Sequence, residues 1–122
     1  GCTTAADGKV YCAPVNARRA LRIDPVAGTA ELLGPDFDKG GAKWSGCTTA
    51  ADGKVYCAPV NARRALRIDP VAGTSELIGP DLGEGTSKWA GCTTAADGKV
   101  YCAPVNARRA LRIDPVAGTA EL

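Results

Sequence analysis

Residues 51–59 read ADGKVYCAP, and residues 66–70 read LRIDP. Each stretch contains a short apolar or β-branched run that is bounded by Gly, Asp or Pro. This pattern is typical of short β-strands separated by tight turns. The one helix-friendly part of the repeated unit, residues 16–21, is shorter than a stable helix and lies between a proline and a strand signal. We therefore predict an all-β fold.

Four strands are predicted in each unit. In the second unit they cover residues 44–50, 54–58, 65–69 and 74–78. Asp7-Gly8 and Ala27-Gly28 are predicted to form tight antiparallel connections, because glycine readily takes the positive φ that such turns require.

The sequence is a tandem repeat. The 29 residues that begin at Gly1 recur unchanged at Gly46 and Gly91, a period of 45 residues. Four substitutions between copies lie in the connection between units, which indicates tolerated loop variation: Phe37/Leu82, Asp38/Gly83, Lys39/Glu84 and Gly41/Thr86. Four antiparallel strands in about 40–45 residues form the blade of a β-propeller. We predict three blades, at residues 1–45, 46–90 and 91–122, the last without a linker to a following blade.

The repeat also resembles a known group of proteins. The stretch KWSG at residues 43–46, together with residues 51–59, 66–70 and 73–74, is similar to tandem propeller repeats of largely uncharacterised proteins from algae, diatoms and oomycetes. The Trp-Asp ending of WD40 blades and the paired glycine of kelch blades are missing. The resemblance implies a propeller without a catalytic motif. The near-perfect copying resembles an engineered symmetric or consensus propeller, or a recently amplified segment.

Three blades do not make a closed propeller, which typically has 4 to 8. Because the first and last units are the same, the end of one chain should fit the start of another as well as it fits its own neighbour. Such a head-to-tail contact forms a ring when the rotation closes. We expect the chain to be its own partner, as a homodimer with six blades or a homotrimer with nine. Alternatively, the chain is a fragment of a longer natural propeller.

The cysteines form three pairs, each separated by nine residues: Cys2/Cys12, Cys47/Cys57 and Cys92/Cys102. If residues 5–9 form a type I turn with Gly8 in a left-handed bulge, Cys2 faces Cys12 at a non-hydrogen-bonded pair, where Cα atoms are about 4.5 Å apart. A two-residue turn would instead place the sulfurs on opposite faces. The pairs are therefore either disulfides that staple each hairpin or buried reduced thiols. Zinc is not expected, because the spacing is unusual and the chain has no histidine.

An arginine pair occurs between the second and third strands of each unit. Ring closure would array these side chains on one rim, where they could bind an anion such as a phosphate or carboxylate: Arg18, Arg19, Arg63, Arg64, Arg108 and Arg109. The alternative is that they are solvated or pair with acidic residues of the neighbouring loop. These acidic residues are Asp36, Asp38, Asp81 and Glu84.

Structural roles are predicted for the remaining conspicuous residues. The aspartates before proline should initiate turns and cap their own backbone: Asp24, Asp69 and Asp114. The tryptophans should wedge between blades: Trp44 and Trp89. The tyrosines lie in the middle of strands and should belong to the core: Tyr11, Tyr56 and Tyr101.

Composition narrows the function. The net charge is only +2, from 15 basic and 13 acidic side chains, so neither a nucleic-acid nor a membrane partner is expected. No histidine, phosphate-binding loop or activated nucleophile is present, and we expect no catalytic residue, cofactor or metal, hence no enzyme. No targeting signal indicates a location. The leading hypothesis is a structural, self-assembling protein, and the alternative is a module that binds an anionic ligand or peptide on the loop face or in the central channel.

Overall fold

The computed structural model describes residues 1–37, 41–83, 85 and 87–122. These residues form three four-stranded antiparallel sheets, and within each sheet the strands neighbour one another in chain order. The first sheet contains β1 Cys2–Thr4, β2 Val10–Cys12, β3 Ala20–Asp24 and β4 Thr29–Leu33. The second contains β5 Trp44–Thr49, β6 Val55–Pro59, β7 Ala65–Asp69 and β8 Thr74–Ile78. The third contains β9 Trp89–Thr94, β10 Val100–Pro104, β11 Leu111–Asp114 and β12 Thr119–Glu121.

The predicted strands agree closely with those of the second sheet. Strands β7 and β8 have the predicted bounds, and β6 is displaced by one residue. Strand β5 ends one residue early because Ala50 already belongs to the turn, where its amide donates to the Lys54 carbonyl at 2.9 Å. The sheet begins at Trp44, two residues before the sequence repeat at Gly46.

The hairpin between β1 and β2 has the predicted register. Cys2 pairs with Cys12, and the Ala5 amide donates to the Lys9 carbonyl at 2.9 Å. Gly8 has a φ of 80°, which is the left-handed bulge that the prediction requires. The wider turn, and not the two-residue alternative, therefore brings both cysteines onto one face.

The turn between β3 and β4 is held by its own aspartate. Asp24 Oδ1 accepts hydrogen bonds from the amides of Val26 and Ala27 at 3.0 and 3.1 Å, while Gly28 takes a φ of 68°. The same bonds recur at Asp69 and Asp114. The predicted turn-capping role is confirmed.

Two apolar cores lie between the sheets, one at each junction. The core between the first two sheets contains residues from facing strands of both: Tyr11, Ala20, Leu33, Trp44, Val55, Cys57, Leu66 and Ile68. The second core uses the equivalent positions of the next two sheets: Tyr56, Ala65, Ile78, Trp89, Val100, Cys102, Leu111 and Ile113. The tryptophans lie in these cores, as predicted.

The first strand of each sheet lies beside its counterpart in the next sheet. A Cβ on Gly46 would overlap the backbone of Gly91, so these strands approach as closely as only glycine allows. The Thr49 hydroxyl donates to the Thr4 carbonyl at 3.1 Å, and the Thr94 hydroxyl donates to the Thr49 carbonyl at 2.9 Å. Neighbouring blades are thus joined by both close packing and hydrogen bonds.

Candidate functional site

The first sheet leaves one apolar face uncovered, which we call the first open face. It consists of Val10, Cys12, Leu21 and Ile23, which the strand register places on one side and which are all partly exposed. The equivalent residues of the middle sheet are 0% exposed, because the first sheet covers them: Val55, Cys57, Leu66 and Ile68.

The third sheet leaves the opposite face uncovered, which we call the last open face. Tyr101 there is partly exposed, and Ala103 and Ala110 are exposed. Together with Gly91 and Cys92 they line a shallow cleft of about 450 Å³. Tyr11 and Tyr56 are fully buried, so the core prediction is right for these two tyrosines and incomplete for Tyr101, which no following blade covers.

Each tyrosine hydroxyl is bonded to the turn of its own hairpin. The Tyr56 hydroxyl donates to Asp52 Oδ2 at 2.6 Å, and Asp52 Oδ1 accepts the Lys54 amide at 2.9 Å. Burial, together with the bond to Asp52, raises the pKa of Tyr56 well above its usual range. This bond links the turn to the blade face, and the sequence signal for it is an Asp four residues before each Tyr.

The three cysteine pairs occupy equivalent hairpin positions. Cys2 and Cys12 are joined by a disulfide, with a Cα–Cα distance of 4.1 Å. The sulfurs of Cys47 and Cys57 are 2.8 Å apart, and those of Cys92 and Cys102 are 2.9 Å apart as free thiols. A hairpin staple in all three blades stays a prediction.

In the Cys47/Cys57 pair, burial and the contact between the thiols shift the two pKa values in opposite directions. The hydrogen bond from the Cys57 thiol lowers the pKa of Cys47. Burial raises the pKa of Cys57 well above its usual value. Cys47 is therefore the more readily ionised thiol of this pair.

In the first two blades, the arginines of the loop rim contact groups of the chain itself. Arg18 pairs with Asp36 at 2.8 Å, and Arg63 pairs with Asp81 at 2.7 Å, which lowers the pKa of Asp81. Arg19 Nε donates to the Gly34 carbonyl at 2.9 Å, and Arg64 makes the same bond to Gly79.

These contacts match the alternative in which the arginines pair with the neighbouring loop. The predicted partners Asp38 and Glu84 lie outside the described residues. Anion binding by the six arginines stays a prediction.

Two buried lysines were missed by sequence reasoning. Lys43 is 7% exposed, and its ammonium donates to the Ala17 carbonyl at 2.7 Å. Lys88 is 6% exposed and donates to the carbonyls of Ala62 and Gly85 at 2.8 and 3.2 Å. Burial lowers the pKa of Lys88. The only sequence signal is that each lysine directly precedes a tryptophan.

A cleft accompanies each lysine on the loop side of the junction. The Trp44 cleft has a volume of about 590 Å³, and the Trp89 cleft about 580 Å³. Each indole nitrogen donates at 2.8 Å to a backbone carbonyl, that of Arg64 or Arg109. Phe37 packs edge-on against Trp44 with ring centroids 5.0 Å apart.

Among the described residues, no three of His, Cys, Asp or Glu come together in a group that could hold a metal ion. No helix in this part of the chain is long and apolar enough to cross a membrane.

Comparison with known proteins shows similarity in fold and little in sequence. No family model matches the chain, and no curated protein matches it significantly. Virginiamycin B lyase from Staphylococcus aureus is similar in structure, with a TM-score of 0.79 and 19% identity over 98% of this chain and 39% of that chain. An auxiliary nutrient binding protein from Bacteroides thetaiotaomicron is also similar in structure. Its TM-score is 0.67, with 16% identity over 99% of this chain and 34% of that chain.

A third similar structure is the extracellular domain of a putative one component system from B. thetaiotaomicron. Its TM-score is 0.72 with 16% identity, over 98% of this chain and 15% of that chain. The chain has the β-propeller fold. It spans about two fifths of the length of the virginiamycin B lyase, and its three sheets are three propeller blades.

Proposed function

We propose that this propeller module is a structural protein that assembles head to tail with copies of itself until the ring of blades closes. The observation that carries this proposal is the complementarity of its two open faces. The first open face repeats the residues that one sheet presents at each internal junction, and the last open face repeats those of the opposing sheet. A second copy would therefore bring these strand residues together at the junction between chains, as they are at the two internal junctions.

The hydrophobic effect favours this contact. Leu21 and Ile23 are partly exposed in the single chain, whereas their counterparts Leu66 and Ile68 are fully buried. Fully burying a large aliphatic side chain contributes about 1.5–3 kcal/mol. The threonine bonds would continue as well, with the Thr94 carbonyl accepting the hydroxyl of Thr4 from the next copy.

The number of copies in the ring follows from the angle between blades. Two chains give six blades and three chains give nine, and both are proposed closed states. Near-identical units suit an engineered consensus propeller or a recently amplified segment. In a longer natural propeller, further blades of the same chain would cover the same two faces.

The mass of the native protein in solution tests the proposal. We expect a dimer or trimer whose mass does not change on further concentration, because a closed ring leaves no free face. Leu21→Asp should yield a monomer, because it places a charge in the junction. Val26→Asp is the matched control, since Val26 is 98% exposed in a turn. A chain that stays monomeric at high concentration would contradict the proposal.

We also propose that the chain is not an enzyme. Similar structures include lyases, and one of these lyases, with a histidine changed to alanine, is catalytically inactive. This chain contains no histidine in its 122 residues.

The alternative function, an anion-binding rim, is tested by reversing the charge of Arg18, Arg63 and Arg108. Retention on an anionic resin should then be abolished, and unchanged retention would count against a binding role for these arginines.

A further inference from the structure

Lys88 is a buried cation whose ammonium donates to carbonyl groups, and no carboxylate among the described residues accepts a hydrogen bond from it. Asp81 acts on Lys88 only through its charge, and the charge of Arg63 opposes that effect. Its ammonium has three N–H groups, and two of them donate to the carbonyls of Ala62 and Gly85. Burial of a charged amine disfavours its protonated form, consistent with the lowered pKa of this lysine. An anion placed beside Lys88 would offset that cost, since opposite charge stabilises the protonated amine.

The Trp89 cleft provides room for such an anion. Its cationic lining residues are Lys88 and Arg108, and no Asp or Glu side chain is found among the described lining residues. The Trp44 cleft has three cationic lining residues, Lys43, Arg63 and Arg64, and one carboxylate, Asp81. The described lining of the Trp89 cleft therefore carries two positive charges and no negative one.

Apolar side chains form much of each wall, beside one asparagine, Asn61 or Asn106. The Trp89 cleft contains Leu82, Ala107 and Leu122 beside the indole. The equivalent wall of the Trp44 cleft is Phe37, Ala62 and Leu77. Volumes near 600 Å³ fall within the range of small-molecule sites, which are mostly apolar with a few polar groups that fix orientation.

We propose that the Trp89 cleft binds one small organic carboxylate with an apolar body. The carboxylate contacts the buried lysine, and the apolar body lies against the tryptophan and its aliphatic neighbours. An inorganic anion would leave the apolar wall unused, and a neutral molecule would place no negative charge beside Lys88. The site belongs to an internal junction of a single chain, so it does not depend on ring closure.

The two tryptophans report on the two clefts separately, because the chain contains only Trp44 and Trp89. In the Trp44→Phe variant, quenching of fluorescence by para-nitrobenzoate would report on the Trp89 cleft. The neutral probe para-nitrobenzyl alcohol has almost the same shape and quenching group. We expect the carboxylate to quench saturably and to bind at least about tenfold more tightly than the alcohol, because the alcohol cannot form the charged hydrogen bond. Equal quenching by both probes, or saturable quenching by neither, would overturn the proposal.

Lys88→Met locates the anion contact. It keeps most of the length of the side chain but removes its charge, and it should weaken para-nitrobenzoate binding at least about tenfold. Lys99→Met is the matched control, because Lys99 lies in a hairpin turn away from both clefts. An unchanged affinity in Lys88→Met would contradict the proposed contact, and equal weakening in Lys99→Met would show general attraction to a positive surface.

A competition experiment that needs no further substitution tests the ligand class. Inorganic phosphate at the same ionic strength should not displace para-nitrobenzoate, whereas benzoate should. Displacement by phosphate would show a site for any anion and overturn the proposed class. Repeating the titration on an isolated monomer such as Leu21→Asp separates this proposal from self-assembly, since binding should persist there.

Discussion

The middle blade and the first blade carry the same strand residues in different surroundings. Leu66 is fully buried between two sheets, whereas Leu21, its counterpart, is partly exposed on the first open face. The sequence of a blade therefore does not determine its burial, which depends on whether a neighbour is present. This is the behaviour expected of repeat arrays, in which each unit is stabilised largely by the units beside it.

The largest expected effect comes from truncating that leucine in the two blades. Leu66→Ala should destabilise the protein by about 2–5 kcal/mol, as for other buried leucines. Leu21→Ala should cost clearly less at a concentration where the chain is monomeric, and should approach the cost of Leu66→Ala where a ring has formed. Urea denaturation at two protein concentrations measures both. Equal costs in the monomer would show that the two blades are equally covered.

Close packing of the inner strands gives the next effect. Gly46→Ala should destabilise the fold by about 1–3 kcal/mol, because the added methyl group overlaps the Gly91 backbone and the strands must move apart. Gly41→Ala is the control, since a Cβ there meets no atom of the described residues within 4 Å. Thermal melting of the two variants compares them. An unchanged melting temperature in Gly46→Ala would mean that the strands can move apart without loss of stability.

The aspartate turns should not distinguish between blades. Asp69→Ala removes the acceptor of the Val71 and Ala72 amides, which are at 3.0 and 3.2 Å, and should cost about 1 kcal/mol. Asp24→Ala and Asp114→Ala should cost the same, because each turn is local to its hairpin. A larger cost at Asp69 alone, measured by urea denaturation, would show that the blades also support one another's turns.

The smallest expected effect is a pH dependence from Lys88. Its pKa is lowered from the usual 10.5, so between the lowered value and 10.5 the unfolded chain binds more protons than the folded chain. Stability from this group therefore rises with pH across that window. The unfolding free energy of the wild type minus that of Lys88→Met should therefore increase as pH rises from about 8 towards 10. A constant difference would indicate that burial does not disfavour the charged lysine.

Features local to a hairpin were predictable from the sequence. The strand bounds, the Cys2–Cys12 register and the capping by Asp24 each depend on residues within one short stretch. The burial of Lys43 and Lys88 was not predictable, because it arises where the loops of two blades meet. The exposure of Tyr101 depends on its place at the end of the array, and identical units carry no signal of position. The clefts likewise exist only between blades, so no single unit contains them.

The alternation of side chains in β6 has a consequence for how the molecule comes apart. Val55 and Cys57 lie in the core on one side, and Tyr56 and Ala58 lie in the core on the other. One strand is thus a shared wall of both cores, and neither core can melt while the other keeps its full structure. Amide hydrogen exchange should therefore be slowest in β6 and β7 and fastest in β1 and β12, so that opening proceeds from both ends of the chain towards its centre.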